Sequence, residues 1–258
     1  MARDKKLIIG NWKMNLGVHE SSLLVNKLEK LVKVHRSVEV VIAPTMLALQ
    51  TLSVQVQYRQ FKLAAQNFYW RDHGAFTGEV SASQLRGIVQ YGLVGHSERR
   101  HAFHESDKDT RAKVQAAIRN EIRPVLCVGE TVSERAAGET QDVIHDQLIG
   151  GLANITSEEL ESIVIAYEPV WAIGTGNNAT PGDVIAAVRS IRNQLKHLYG
   201  ARAASEVQVL YGGSVTNDSA ADYLAISDVD GLLVGGASMD ASAFASIVEK
   251  AYASVKKN

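Results

Sequence analysis

The sequence predicts an α/β chain closed as a (β/α)8 barrel, and three observations predict it. Eight short apolar runs recur along the chain. Amphipathic stretches of helical spacing separate them. The 258 residues match the length that eight strand–helix units need.

The first run, Leu7–Ile9, precedes a stretch in which Leu24, Leu28, Leu31 and Val32 share one helical face. The second, Val38–Ala43, ends in the unbroken Val40-Val41-Ile42-Ala43. Leu63–Ala65 and Gly92–Gly95 are the third and fourth. The fifth, Val125–Val128, leads to a face of Ile144, Leu148 and Leu152. The sixth, Ile163–Tyr167, leads to Val184, Val188, Ile191, Leu195 and Leu198. That helix announces its start with Thr180 as N-cap, Pro181 in the first turn and Asp183 near the positive end of the dipole. Val207–Leu210 and Leu232–Val234 complete the set. Unbroken apolar runs signal burial on both faces, as in a parallel sheet covered by helices. An open doubly wound sheet shares this alternation, and periodicity does not decide closure; the count of eight favours the barrel. No composition shift marks a linker, so residues 1–258 read as one domain.

Composition excludes several classes. Twenty-seven basic residues face 28 acidic ones, a formal net charge of −1, which argues against nucleic acid or an anionic membrane as partner. A single cysteine forms no intrachain disulfide and points to a reducing, cytoplasmic setting. The apolar run behind Met1–Lys6 is too short for a signal peptide, and no stretch approaches the ~20 apolar residues of a membrane span.

A barrel of this kind carries its site at the C-terminal ends of the strands. Polar residues and glycine turns stand at those ends. Asn11 and Lys13 come after the first run, Gln66 and Asn67 after the third, and His96, Ser97 and Glu98 after the fourth. Glu168 and Pro169 come after the sixth, Gly212-Gly213-Ser214 after the seventh, and Gly235-Gly236 after the eighth. The glycine turns allow close backbone approach and aim N–H groups at an anion, and the last two loops are this barrel's usual phosphate grip. Glu168 is either a structural acid at a strand end or a general base. His96 opens a helix, where imidazolium is disfavoured; a neutral ring can donate to a carbonyl oxygen, or it is simply a hydrogen-bonded core histidine. Lys13 reads as a surface lysine, an electrostatic partner for an anionic substrate, or a Schiff-base nucleophile; its place on the rim favours the second. The segment from Pro169 to Asn178 reads as a lid: a stiff end at Pro169, apolar Val170, Trp171 and Ile173, and hinge glycines Gly174 and Gly176.

Other signals fall away. Gly174-Thr175-Gly176-Asn177-Asn178-Ala179 matches G-x-G-x-x-A, yet it lies beyond its strand, Pro181 resets the helix, and no acid stands at the needed distance. His101 and His104 with Glu105 lack metal-ligand spacing and belong on the exposed part of a helix. Cys127, set among Val125, Leu126 and Val128, reads as a core thiol.

The chain resembles the triosephosphate isomerase family over essentially its whole length. The match is carried by Gly10-Asn11-Trp12-Lys13-Met14-Asn15, Ala65-Gln66-Asn67, Gly95-His96-Ser97-Glu98-Arg99-Arg100, Cys127-Val128-Gly129-Glu130-Thr131, the segment Tyr167–Gly176, Tyr211-Gly212-Gly213-Ser214 and Leu233–Ser238. The resemblance implies a TIM barrel that interconverts dihydroxyacetone phosphate and glyceraldehyde 3-phosphate with no metal or organic cofactor. It implies Glu168 as the base, His96 as the neutral electrophile, Lys13 as the positive charge and Asn11 as a hydrogen-bonding neighbour. It also implies phosphate contacts from Gly174, Ser214, Gly235 and Gly236, and support from Glu98 and Tyr211. The implied lid comprises Pro169, Val170, Trp171, Ala172, Ile173, Gly174, Thr175 and Gly176. The family is homodimeric, and the loop that enters the neighbour matches Gly74, Ala75, Phe76, Thr77, Gly78 and Glu79. Two departures stand out. The second lid hinge reads Asn177-Asn178-Ala179 where the family has Lys-Thr-Ala, which implies altered lid kinetics. Met14 replaces a reactive interface cysteine of some relatives.

Two rivals define the alternatives. One is a Schiff-base aldolase using Lys13, disfavoured because no lysine stands inside a predicted strand. The other is a non-catalytic phosphometabolite-binding protein, disfavoured by the complete set of Lys13, His96 and Glu168.

Overall fold

Closure, which periodicity left open, is decided by the pairing of the first and last strands. Eight parallel strands run in chain order: β1 (Lys6–Asn11), β2 (Val38–Ala43), β3 (Lys62–Ala65), β4 (Tyr91–Val94), β5 (Arg123–Val128), β6 (Val164–Tyr167), β7 (Gln208–Tyr211) and β8 (Gly231–Val234). β1 pairs with β8 from Leu7↔Gly231 to Gly10↔Val234, so the sheet has no edge. This is a (β/α)8 TIM barrel, and the open doubly wound alternative is excluded. The structure, a computed structural model, describes residues 5–173 and 178–255.

The continuous apolar runs are two-faced, as their sequence requires. Leu7, Ile9, Val41, Ala43, Ala64, Leu93, Val125, Cys127, Val164, Ala166, Leu210 and Leu233 fill the barrel interior. Their neighbours Ile8, Val40, Ile42, Leu126, Ile165, Val209 and Leu232 face the helices. The longer helices are α1 (Val18–Leu31), α2 (Met46–Gln55), α5 (Asp107–Arg119), α7 (Thr140–Leu152), α9 (Pro181–Glu206) and α11 (Ala241–Val255). Short helices fill the connections: α3 (Ala82–Leu85), α4 (Ser97–Ala102), α6 (Val132–Ala137), α8 (Ser157–Leu160) and α10 (Ala220–Leu224). Among the described residues no helix is long and apolar enough to cross a membrane.

The start of α9 is as its sequence reads. The Thr180 hydroxyl accepts from the Asp183 amide at 3.2 Å, and the Asp183 carboxylate accepts from the Thr180 amide at 2.9 Å. Two face assignments need correction. Leu31, in the last turn of α1, is 46% exposed, because the chain leaves the helix in extended conformation at Val32 and buries that side chain instead. Leu198 is 38% exposed; it sits just before Gly200, whose φ of 83° breaks α9. A third correction concerns lysine. Lys6 and Lys62 open β1 and β3, so two lysines do stand in strands, although at the end of the barrel remote from the polar rim.

Candidate active site

The C-terminal rim assembles what the strands carry there. A cavity of about 320 Å3 is lined by Asn11, Lys13, His96 and Glu168 together with Gly212, Gly213, Ser214, Gly235 and Gly236. Strands at different places in the chain thus bring an amide, a lysine, an imidazole and a carboxylate to one cavity.

Lys13 lies just past β1 at φ 54°, a left-handed conformation costing roughly 1–2 kcal/mol for a residue with a Cβ. Two hydrogen bonds hold it. Its amide donates to Asn11 Oδ1 at 3.0 Å, and its carbonyl accepts from the Gln66 side chain at 2.8 Å. Lys13 Nζ then meets Glu98 Oε1 at 2.5 Å. Backbone strain next to the cavity fixes where this ammonium stands.

His96 caps α4. Its Nδ1 accepts from the Glu98 amide at 3.2 Å, so that nitrogen bears no proton and the ring's N–H lies on Nε2. Nε2 points toward the cavity: it is 3.4 Å from Asn11 Nδ2 and 3.1 Å from Glu168 Oε1. Glu168 comes directly after β6 and is 2% exposed. Its Oε2 accepts from the Ser97 amide at 2.9 Å. Its Oε1, although close to His96, receives no aligned hydrogen bond among the described residues. A buried carboxylate with one oxygen bound and the other unsatisfied leaves a lone pair open to a donor in the cavity.

Backbone packing sets the position of Glu168. Its amide donates to the Val128 carbonyl at 2.8 Å, and its main chain passes so close to Gly129 that a side chain there would strike it. Beneath it lies Cys127, whose thiol burial pushes well above the ordinary range, with the charge of Glu168 adding to the effect. Cys127 is therefore the core thiol its surroundings predict.

The segment read as a lid starts at Pro169. Val170–Ala172 form one 3-10 turn after Pro169. Trp171 Nε1 donates to Glu130 Oε1 at 2.8 Å, and the Tyr167 hydroxyl donates to the same carboxylate at 3.1 Å. The Arg135 guanidinium covers the Trp171 ring at 4.0 Å and pairs with Asp183 at 2.7 Å. Gly174, Thr175, Gly176 and Asn177 lie outside the described residues, so the hinge glycines, the Gly174 contact and the altered second hinge are not placed.

Glycine turns after β7 and β8 build the other side of the cavity. Gly235 precedes a 3-10 turn over Gly236–Met239, whose first N–H groups have no partner within the turn. Tyr211, the expected supporting residue, packs its ring 4.2 Å from Tyr223; a side chain at Gly213 would collide with the Tyr211 hydroxyl. It therefore holds the turn after β7 from below and does not line the cavity.

The comparisons with known proteins agree along the chain. The family model for triosephosphate isomerase matches residues 6–251. A protein of Caldanaerobacter subterraneus subsp. tengcongensis named triosephosphate isomerase is 44% identical over 245 residues, 95% of this chain and 98% of its own. Relatives of the same name from Chloroherpeton thalassium and Clostridium perfringens are 43% and 42% identical, over 96% and 94% of this chain and 99% and 98% of theirs. The chain belongs to the triosephosphate isomerase family. Membership in the triosephosphate isomerase family bears out the resemblance of the short motifs, which all lie inside the match.

Three features of the rim escaped the sequence. The Ser97 amide on Glu168 is a backbone donor and leaves no mark in residue type. Glu130, fully buried under Tyr167 and Trp171, lies in a family motif that by itself assigns it no role. Glu105 is buried rather than on an exposed helix surface, because Lys113 and Arg99 both reach it. Lys113 also donates to Asn67 Oδ1 at 2.7 Å. A lysine beside the apolar face of Thr110, Val114 and Ala117 was the available signal. His101 and His104 are exposed, as expected, but only His101 lies on a helix: His104, at φ 56°, stands past the end of α4.

Proposed function

We propose that this chain interconverts dihydroxyacetone phosphate and D-glyceraldehyde 3-phosphate by proton transfer through an enediolate. One observation carries the assignment of roles: the Glu168 carboxylate and His96 Nε2 stand 3.1 Å apart in a cavity that Lys13 and two glycine turns complete. Glu168 removes the proton from the carbon next to the carbonyl and returns it to the neighbouring carbon. The Nε2–H of His96 gives its proton to the oxygen that gains charge and the ring takes one back from the neighbouring hydroxyl, so that a proton passes between the two oxygens, while the Lys13 ammonium and Asn11 amide stabilise the same region. Gly235, Gly236, Ser214 and Gly174 take the phosphate, a dianion that their backbone donors suit. Glu98 holds Lys13 in place. The lid from Pro169 to Gly176 excludes water while the enediolate exists.

The aldolase alternative is disfavoured by the Lys13–Glu98 pair, in which the Glu98 carboxylate occupies the lysine nitrogen that a Schiff base would need free to attack. The working assembly of this reading is a homodimer. Gly74, Ala75, Phe76, Thr77, Gly78 and Glu79 all stand exposed, and Phe76 rests on Tyr69 with ring centroids 4.6 Å apart. Met14 is 94% exposed and Phe103 66%, apolar surface that a second copy would cover.

Coupled assay of turnover on glyceraldehyde 3-phosphate tests the function. The wild type turns over rapidly, and Glu168→Gln loses about 10²–10⁴-fold in kcat. Absence of turnover in folded wild type would leave a binding protein; undiminished turnover in the variant would assign the base elsewhere.

A further inference from the structure

The opposite end of the barrel holds a second cleft, of about 360 Å3, as roomy as the candidate active site. It opens beside the first residues of β2 and β3. Four cations line it: Lys5 before β1, Arg36 before β2, Arg59 before β3, and Lys62 at the start of β3. Lys5, Arg36 and Arg59 are exposed and Lys62 half-buried. Among the described residues none of the four forms an ion pair with a side chain. Lys62 Nζ sits instead over the Tyr58 ring, 2.8 Å from its centroid. The cleft's one carboxylate, Glu39, is bonded by the Tyr91 hydroxyl, which Arg123 holds in turn at 2.9 Å. His35, also in the lining, is turned away: it stacks on Tyr252 and meets Glu249 at 3.2 Å.

This arrangement departs from the rest of the molecule. The whole chain balances 27 basic against 28 acidic residues, whereas the cleft sets four cations against one engaged carboxylate. Some exposed arginines elsewhere take acidic partners, as Arg86 does with Glu121 and Arg119 with Asp72, and what sets the cleft apart is that four cations gather on one lining. Like charges gathered without counter-charges repel one another and raise the local potential, which an anion relieves.

We propose that this cleft binds a compact polyphosphate anion. The two guanidinium groups of Arg36 and Arg59 offer bidentate forks for phosphate oxygens, and Lys5 and Lys62 add mobile point charges. The site lies at the N-terminal ends of the strands, so its ligand does not compete with one on the C-terminal rim. Binding here is independent of the isomerase reading.

Calorimetric titration with inorganic pyrophosphate at low ionic strength tests it, comparing the wild type with Arg36→Gln/Arg59→Gln/Lys62→Gln. Circular dichroism and thermal unfolding establish that the variant is folded, and single Arg59→Gln serves if it is not. The wild type takes up one equivalent more than the triple variant, or binds at least tenfold more tightly than Arg59→Gln. Raising the salt from 50 to 200 mM weakens that extra equivalent further. Equal stoichiometry and affinity in wild type and variants overturn the proposal, as does a wild type whose only uptake is displaced by dihydroxyacetone phosphate.

Discussion

Gly212→Ala is a sharp probe of how Glu168 is placed. Gly212 has no left-handed backbone, so alanine fits its dihedral angles. An added Cβ would lie 3.1 Å from Glu168 Cγ, with Leu233 Cβ and the Tyr167 carbonyl at 3.4 Å. That is tighter than ordinary carbon contacts, so the carboxylate arm must retreat by a few tenths of an ångström. The backbone cannot share that retreat, because the Gly212 amide donates to Tyr167 at 2.7 Å and the Glu168 amide to Val128 at 2.8 Å. A misplacement near 1 Å costs on the order of 10²-fold in rate, so this one costs about 4- to 10-fold in kcat. Stability moves little, since the gain of roughly 0.4–1 kcal/mol from a stiffer unfolded chain offsets the tight contact. Steady-state turnover and urea unfolding read the two effects separately. Unchanged kcat would refute the reasoning, and so would a loss of activity that only tracks unfolding.

The buried Glu105–Lys113 pair gives a stability prediction: Lys113→Met leaves the buried carboxylate with Arg99 as its one cationic partner, beside the Gly95 amide, and lowers unfolding free energy by about 3–5 kcal/mol in urea titration. A companion prediction concerns acid. Burial pushes the Glu105 carboxyl up, but Lys113 and Arg99 together outweigh it and hold it below the usual carboxylate range. Its folded value is thus depressed, so its stabilisation is present above the unfolded value near 4.5 and fades as pH falls through the folded one. Wild type therefore loses more stability between pH 6 and 3 than Glu105→Gln does; parallel curves would refute this. Cys127, with its thiol raised by burial, stays unlabelled by a thiol reagent in the native protein and reacts once per chain after denaturation. Native labelling at the denatured rate would contradict its place in the core.

What could be seen in the sequence divides by range. Strands were legible because Val40–Ala43 and Ile163–Tyr167 are apolar on both faces, and that property survives any arrangement of their neighbours. Rim residues were legible because each stands directly after such a strand. Closure was not: the Leu7↔Gly231 pairing joins residues from opposite ends of the chain, and no local pattern encodes it. Leu31 and Leu198 were misplaced because helical periodicity was extended through a final turn and up to a break. The Ser97 contact to Glu168 and the Lys113 contact to Glu105 depend on elements meeting in space, and the first uses a backbone group that nearly every residue possesses. The unpaired cations of the second cleft belong to that same class, since Lys5, Arg36, Arg59 and Lys62 come together only when β1, β2 and β3 align.

The central claim is that Glu168 carries a proton between two carbons, and isotope exchange tests it most directly. Dihydroxyacetone phosphate incubated with wild type in D2O should yield product with deuterium at the carbon next to the aldehyde, at a rate comparable to turnover. Glu168→Gln, which preserves shape and removes the base, should lose exchange and turnover together. Deuterium incorporation by that variant at the wild-type rate would contradict the account.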